Sequence, residues 1–96
     1  MPSFRIGLEP KRRAAARFVV SVRRSLQKAF ADEKRASGLS QTELADRLGV
    51  HRSEITRKLR GQRAIGVDRV AELAWAMGFE PHFELKKPVP RAGRRP

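Results

Sequence analysis

Between Ser40 and Gly61 the chain reads SQTELADRLGVHRSEITRKLRG, a spacing that admits two short helices joined by a tight turn. Ser40 followed by Glu43 is an S-x-x-E capping box: the Ser hydroxyl takes an orphan helix N–H, and the Glu side chain returns to the N–H of the cap. A helix is therefore predicted to start at Gln41. Leu44, Ala45 and Leu48 give it a narrow apolar stripe, and the small Ala45 lets a neighbouring helix come close. Gly49, just past the last periodic residue, supplies the positive φ that so short a turn requires. Val50 is expected to point inward.

The next helix begins near His51 or Arg52 and keeps only Ile55 and Leu59 as a buried pair. Most of its surface must therefore face something other than core, and that surface carries Arg52, Ser53, Thr56, Arg57 and Arg60. These are side chains that reach base edges and phosphates, and the pattern reads as a helix-turn-helix. Counted from Gln41, a small residue at Ala45, a turn glycine at Gly49 and a buried β-branched residue at Ile55 resemble the Cro and lambda-repressor-like (Xre-type) helix-turn-helix family. The resemblance covers roughly residues 29–85. One departure stands out: the family usually has a third apolar residue three places after Ile55, where this chain has Lys58 with Leu59 beside it. A slight rotation of the helix puts Leu59 in the core position.

A recognition helix of that kind enters the major groove by its N-terminal end, so His51, Arg52, Ser53, Thr56 and Arg57 are the candidates for base reading. The arginines suit bidentate contact with guanine. Gln41, at the family position that meets a phosphate, and Arg60, Gln62 and Arg63 after the helix are the candidates for backbone contact. His51 also sits where a helix cap belongs, which offers it a purely local role.

The charge distribution agrees. Of a net +12, residues 1–28 carry eight Lys or Arg against Glu9 alone, residues 86–96 carry five with no acid, and residues 29–85 balance nine against nine. Within that neutral middle, Arg47, Arg52, Arg57, Lys58, Arg60 and Arg63 face only Glu54 across residues 47–63. Such clustering is the footprint of a polyanion, because each neutralised phosphate releases counterions. Double-stranded DNA is the expected partner. The outward Lys11, Arg12, Arg13, Arg17, Arg23 and Arg24 of the first helix suit either further phosphates or an acidic partner, and the sequence does not choose between them. A membrane-surface helix or a removable targeting peptide fits this segment less well, since its apolar stripe runs on into the domain without a break.

Around the motif the chain reads as mainly α, with about four helices in one domain over residues 10–85. Met1 to Glu9 lacks periodicity and is expected to be a disordered arm. Pro10, favourable at a first helical position, opens a long helix to Ser37 with Gly38 as its stop, and Phe18, Val22, Leu26, Ala29 and Phe30 mark its buried side. Leu39 joins the core. A last helix runs from Val67 to Met77 through Val70, Leu73, Ala74 and Met77; Trp75 and Ala71 lie off that stripe, where they can pack beneath a dimer sheet or against the long first helix, with ordinary core the favoured reading for Trp75. Phe79 to Leu85 alternates with the period of a half-buried strand. A lone strand needs a partner, and the nearest is the same segment of a second copy, so Phe79, Phe83 and Leu85 are the candidate contacts of a homodimer. Residues 86–96 form a basic tail too charged and Pro-rich to pack.

With no cysteine and two distant histidines, no metal site or other cofactor is expected, and no apolar run approaches the ~20 residues of a membrane span. The composition suits the cytoplasm. No serine has a plausible base at motif spacing, and no glycine-rich phosphate loop follows a strand, so catalysis is not expected. The function implied is a transcriptional regulator, most simply a repressor on a palindromic operator. The alternative is an antitoxin that binds a toxin protein and regulates its own operon; a nucleoid-type binder with little sequence preference ranks behind both.

Overall fold

A computed structural model describes residues 2–61 and 65–88 and shows four helices: α1 (Pro2–Ser37), α2 (Gln41–Leu48), α3 (Arg52–Arg60) and α4 (Val67–Ala76). Helix α1 starts at Pro2, eight residues before the predicted start at Pro10, which stands inside the helix. Pro2 holds the first helical position, where the missing N–H of proline costs nothing. The helix ends as predicted, with the Gly38 N–H on the Lys34 carbonyl at 2.9 Å.

The capping box of α2 is complete. Ser40 Oγ accepts from the Glu43 N–H at 3.1 Å, and Glu43 Oε1 accepts from the Ser40 N–H at 3.3 Å. Gly49 adopts φ +69°, which turns the chain back so that the Val50 N–H reaches the Ala45 carbonyl at 3.0 Å. Gly61 repeats the device at the end of α3, with φ +82° and its N–H on Arg57 and Lys58. A residue with a Cβ is strained in this conformation.

The core is one cluster gathered from all four helices and the link after α1. Leu44, Ile55 and Leu73, one each from α2, α3 and α4, are the largest fully buried side chains. Leu26 and Leu39 close it from the side of α1, with Ala45, Leu59, Ala76 and Met77, while Val22, Ala29, Phe30 and Val70 pack at its margin. Leu59 takes the core position that the displaced apolar residue left open. Lys58 bends aside, its side chain 18% exposed, to pair with Glu54.

Three packing expectations are corrected. Val50 is 39% exposed, because the turn at Gly49 is held by its backbone N–H and places the side chain at the edge of a groove between α3 and α4. Phe18 is 52% exposed: residues 9–21 of α1 overhang the bundle, and the stripe reaches the core only from Val22 onward. Trp75 is 67% exposed, and Ala76 is buried in its stead. The 100° step per residue aims Ala76, next to Leu73 on the helix wheel, at the core and swings Trp75 outward.

Among the described residues there is no strand, and Phe79 to Pro88 has no regular secondary structure. The ring of Phe83 meets that of Phe18 edge to face, centroids 5.7 Å apart, so this segment crosses the overhang of α1. No helix among the described residues is long and apolar enough to cross a membrane, and no group of three His, Cys, Asp or Glu among them is placed to hold a metal ion.

Candidate nucleic-acid interface

With Ile55 and Leu59 buried, the 3.6-residue period turns Ser53, Arg57 and Arg60 away from the core. His51, Arg52, Ser53 and Arg60 are exposed, and Thr56 and Arg57 half-buried. His51 is the N-cap of α3, but its side chain makes no capping hydrogen bond, so its ring is left for other contacts.

Gln41 and Thr56, assigned from sequence to different kinds of contact, meet. Thr56 Oγ1 donates to Gln41 Oε1 at 2.7 Å; its own-helix alternative, the Arg52 carbonyl, is 3.4 Å away. A hydroxyl has one proton, and the shorter bond takes it. The amide NH₂ of Gln41 then has two donors available at the N-terminal end of α2, where the helix dipole also favours an anion. The bond ties α3 to the first position of α2.

Arg57 is tethered. Its NH2 donates to Glu54 Oε2 at 3.0 Å, and Lys58 Nζ donates to the other oxygen of the same carboxylate at 3.3 Å. Hydrogen bonds from Lys58 and then Arg57, with their positive charge, hold the Glu54 carboxyl below the ordinary glutamate range. The three side chains border a groove of about 450 Å³ closed on the far side by Arg69, Glu72 and Leu73 of α4. Arg57 thus approaches the outward face carrying an anionic partner, and Glu54 is a member of the site that charge counting passes over. Its signal is present in the sequence: a single acid at i−3 from one cation and i−4 from the next.

Other cations of the local cluster divide by role. Arg47 donates to the Ala76 carbonyl and ties α2 to the C-terminal end of α4, which removes it from the outward face. Arg60 is exposed on the surface. Gln62 and Arg63 lie outside the described residues. Two further residues reach the C-terminal end of α3 from α1. Gln27 Nε2 donates to the Leu59 carbonyl. The guanidinium of Arg23 lies over Gly61 so closely that the Cβ of any other residue at that position would fall 2.5 Å from Arg23 Nε. A sequence separation of 32 residues leaves no local signal for the Gln27 contact.

The family model described as Helix-turn-helix matches residues 31–83, just over half of the chain. The chain belongs to this helix-turn-helix family. It is accordingly a DNA-binding helix-turn-helix protein of the Cro and lambda-repressor-like (Xre-type) kind, with α2 and α3 inside the matched segment. No match was found among curated proteins or solved structures. The matched segment starts near the C-terminal end of α1, so Arg23 and Gln27 brace α3 from outside the family core.

Proposed function

We propose that this helix-turn-helix protein is a sequence-specific transcriptional regulator, acting as a repressor, that binds a palindromic operator as a homodimer through the major groove. The observation that carries the reading is the outward face of α3, where exposed His51, Arg52 and Ser53 stand beside Thr56 and Arg57 at the end of the helix that enters a groove. Arg52 and Arg57 suit guanine O6 and N7, Ser53 and Thr56 are short enough for close approach, and Gln41, Arg60, Gln62 and Arg63 grip the sugar-phosphate backbone. These backbone contacts set register rather than sequence.

Dimerisation through Phe79, Phe83 and Leu85 is supported by their exposure in the single chain, which leaves apolar side chains in water. A two-fold pair presents its recognition helices about 34 Å apart, one turn of duplex. The exposed Trp75 and the basic, apolar-bearing overhang of α1 favour a second reading, in which the protein is an antitoxin that also binds an acidic toxin protein.

Selection of bound sequences from a random duplex pool at physiological salt tests the proposal. One palindromic motif with half-sites a full turn apart is the expected result. Tight binding that recovers no motif would overturn it.

A further inference from the structure

The N-terminal part of α1 lies before the matched family segment, yet it returns to the recognition helix at one point. Gln27 satisfies the Leu59 carbonyl, one of those that the end of α3 leaves unpaired. One turn earlier, Arg23 spreads its guanidinium over Gly61, the left-handed residue that ends α3. Buried Arg23 Nε has no hydrogen-bond partner among the described residues, and Arg23 enters no ion pair there. Exposed Arg60 precedes Gly61 directly. Two arginines from distant parts of the sequence are therefore brought to the same end of the recognition helix, with no acid among the described residues paired to either.

The same line of α1 continues outward. Arg12 lies eleven residues before Arg23, close to three full turns, so it falls within about 20° on the same face and about 16 Å further along the axis. Arg13 and Arg24 lie about 80–100° round the helix from that line, both on the same side of it, and residues 9–21 are exposed throughout. Glu9 is the one acid in residues 1–28, and it is already taken by Arg13 at 3.0 Å.

We propose that Arg23, continued by Arg12 along α1, is a second phosphate-binding element, which holds the duplex backbone beyond the end of the half-site read by α3. The inference rests on the reading of α3 as the helix that docks in the major groove. An α3 of nine residues that enters the major groove by its N-terminal end spans the groove, so its C-terminal end, with Arg23 and Gln27 packed on it, lies toward a flanking strand. The group nearest that end is then a backbone phosphate. A guanidinium already held against the helix by packing loses little freedom on binding, and its planar fork matches two phosphate oxygens. The overhang of α1 is thereby given a ligand, and the footprint extends past the helix-turn-helix itself.

The test is binding of the full chain to its selected site and to a scrambled duplex of equal length, titrated from low to physiological salt. Arg23→Gln is expected to weaken binding to both duplexes by similar factors and to reduce the log–log salt slope by about 0.9 per protomer, with Arg23→Lys restoring most of the slope. Arg12→Gln is expected to do the same only on duplexes that extend beyond the half-sites. Thermal unfolding of each variant separates charge from packing. An unchanged salt slope in folded Arg23→Gln overturns this inference alone, and transfer of the effect to an acidic protein partner would appear as that result. Failure of the unsubstituted protein to bind either duplex would instead overturn the regulator reading on which it rests.

Discussion

Thr56 Oγ1 on α3 donates to Gln41 Oε1 at the first position of α2, 2.7 Å away. A single hydrogen bond thus joins the helix proposed to read bases to the first turn of α2, and it leaves the amide donors of Gln41 free of the protein's own hydroxyl.

Thr56→Val keeps the shape and β-branching of the side chain but removes the donor. Gln41 then loses its orienting partner, so DNA affinity should fall about three- to tenfold, the worth of one hydrogen bond. The loss should be shared by selected and scrambled duplexes if Gln41 serves the backbone. Fluorescence anisotropy on the two duplexes checks this, and a loss confined to the selected site would assign Thr56 to base reading instead.

Arg57 and Arg60 should separate cleanly. Arg57→Ala is expected to cost ~1–3 kcal/mol on the preferred site and to relax preference at one base position, whereas Arg60→Ala should weaken all duplexes alike and lower the salt slope by about one unit. Repeating the sequence selection with each variant reads out both effects. Equal loss of discrimination in the two variants would mean that the division of roles between them is wrong.

The motif is largely legible in the sequence because its signals are local. Ser40 and Glu43, Gly49, and the pair Ile55 and Leu59 each act within a turn or two of chain, and each forms the contact its spacing implies. Phe18 and Trp75 are misplaced by sequence for two different reasons. For Trp75, its size suggests core while its place off the stripe turns it outward and leaves the core to Ala76. For Phe18, helical periodicity says which residues share a face but not how far the neighbouring elements extend along it, and α1 outruns the bundle that covers it. The same limit hides Arg23 and Gln27, whose partners on α3 are set by packing between helices remote in sequence. Arg47 has the charge of the basic face but serves the end of α4, since charge alone does not tell a phosphate from a carbonyl.

Glu54 gives a pH dependence whose sign can be fixed. Its carboxyl is held below the ordinary value of 4.5 by Lys58 and Arg57, so the tether is fully present above that value and is lost as pH falls through the lower native one. A carboxyl-carbon NMR titration should place the Glu54 midpoint below the ordinary glutamate value of 4.5. Glu54→Gln mimics the protonated form at neutral pH and removes a negative charge from the face proposed to meet the duplex. Its affinity for scrambled DNA should rise, and preference for the selected site should narrow as Arg57 loses its fixed bearing. Unaltered discrimination would leave Glu54 no part in orienting Arg57.

The cap of α2 should show in stability rather than in base preference. Ser40→Ala removes the acceptor of the Glu43 N–H and should cost about 1 kcal/mol. Chemical denaturation measures it. The DNA motif recovered by selection should be unchanged, because the cap lies outside the groove-facing set.

Phe83 makes the oligomeric state testable against the fold of the single chain. Its ring stands edge to face on Phe18, at 5.7 Å and 69° between planes, yet the side chain is still 69% exposed. An aromatic pair of this kind contributes ~0.5–1.5 kcal/mol where the C-terminal segment crosses α1, and it leaves most of the ring in water. If Phe79, Phe83 and Leu85 pair with a second copy, the contact with Phe18 sets the course of the segment and the exposed remainder of the ring is what the partner covers. Phe83→Ala should then weaken the dimer strongly and Phe18→Ala more weakly, with both variants folded by circular dichroism. Sedimentation equilibrium decides the matter: identical association constants for the unsubstituted protein and Phe83→Ala would exclude this segment as the interface, and with it the geometric basis for half-sites one turn apart.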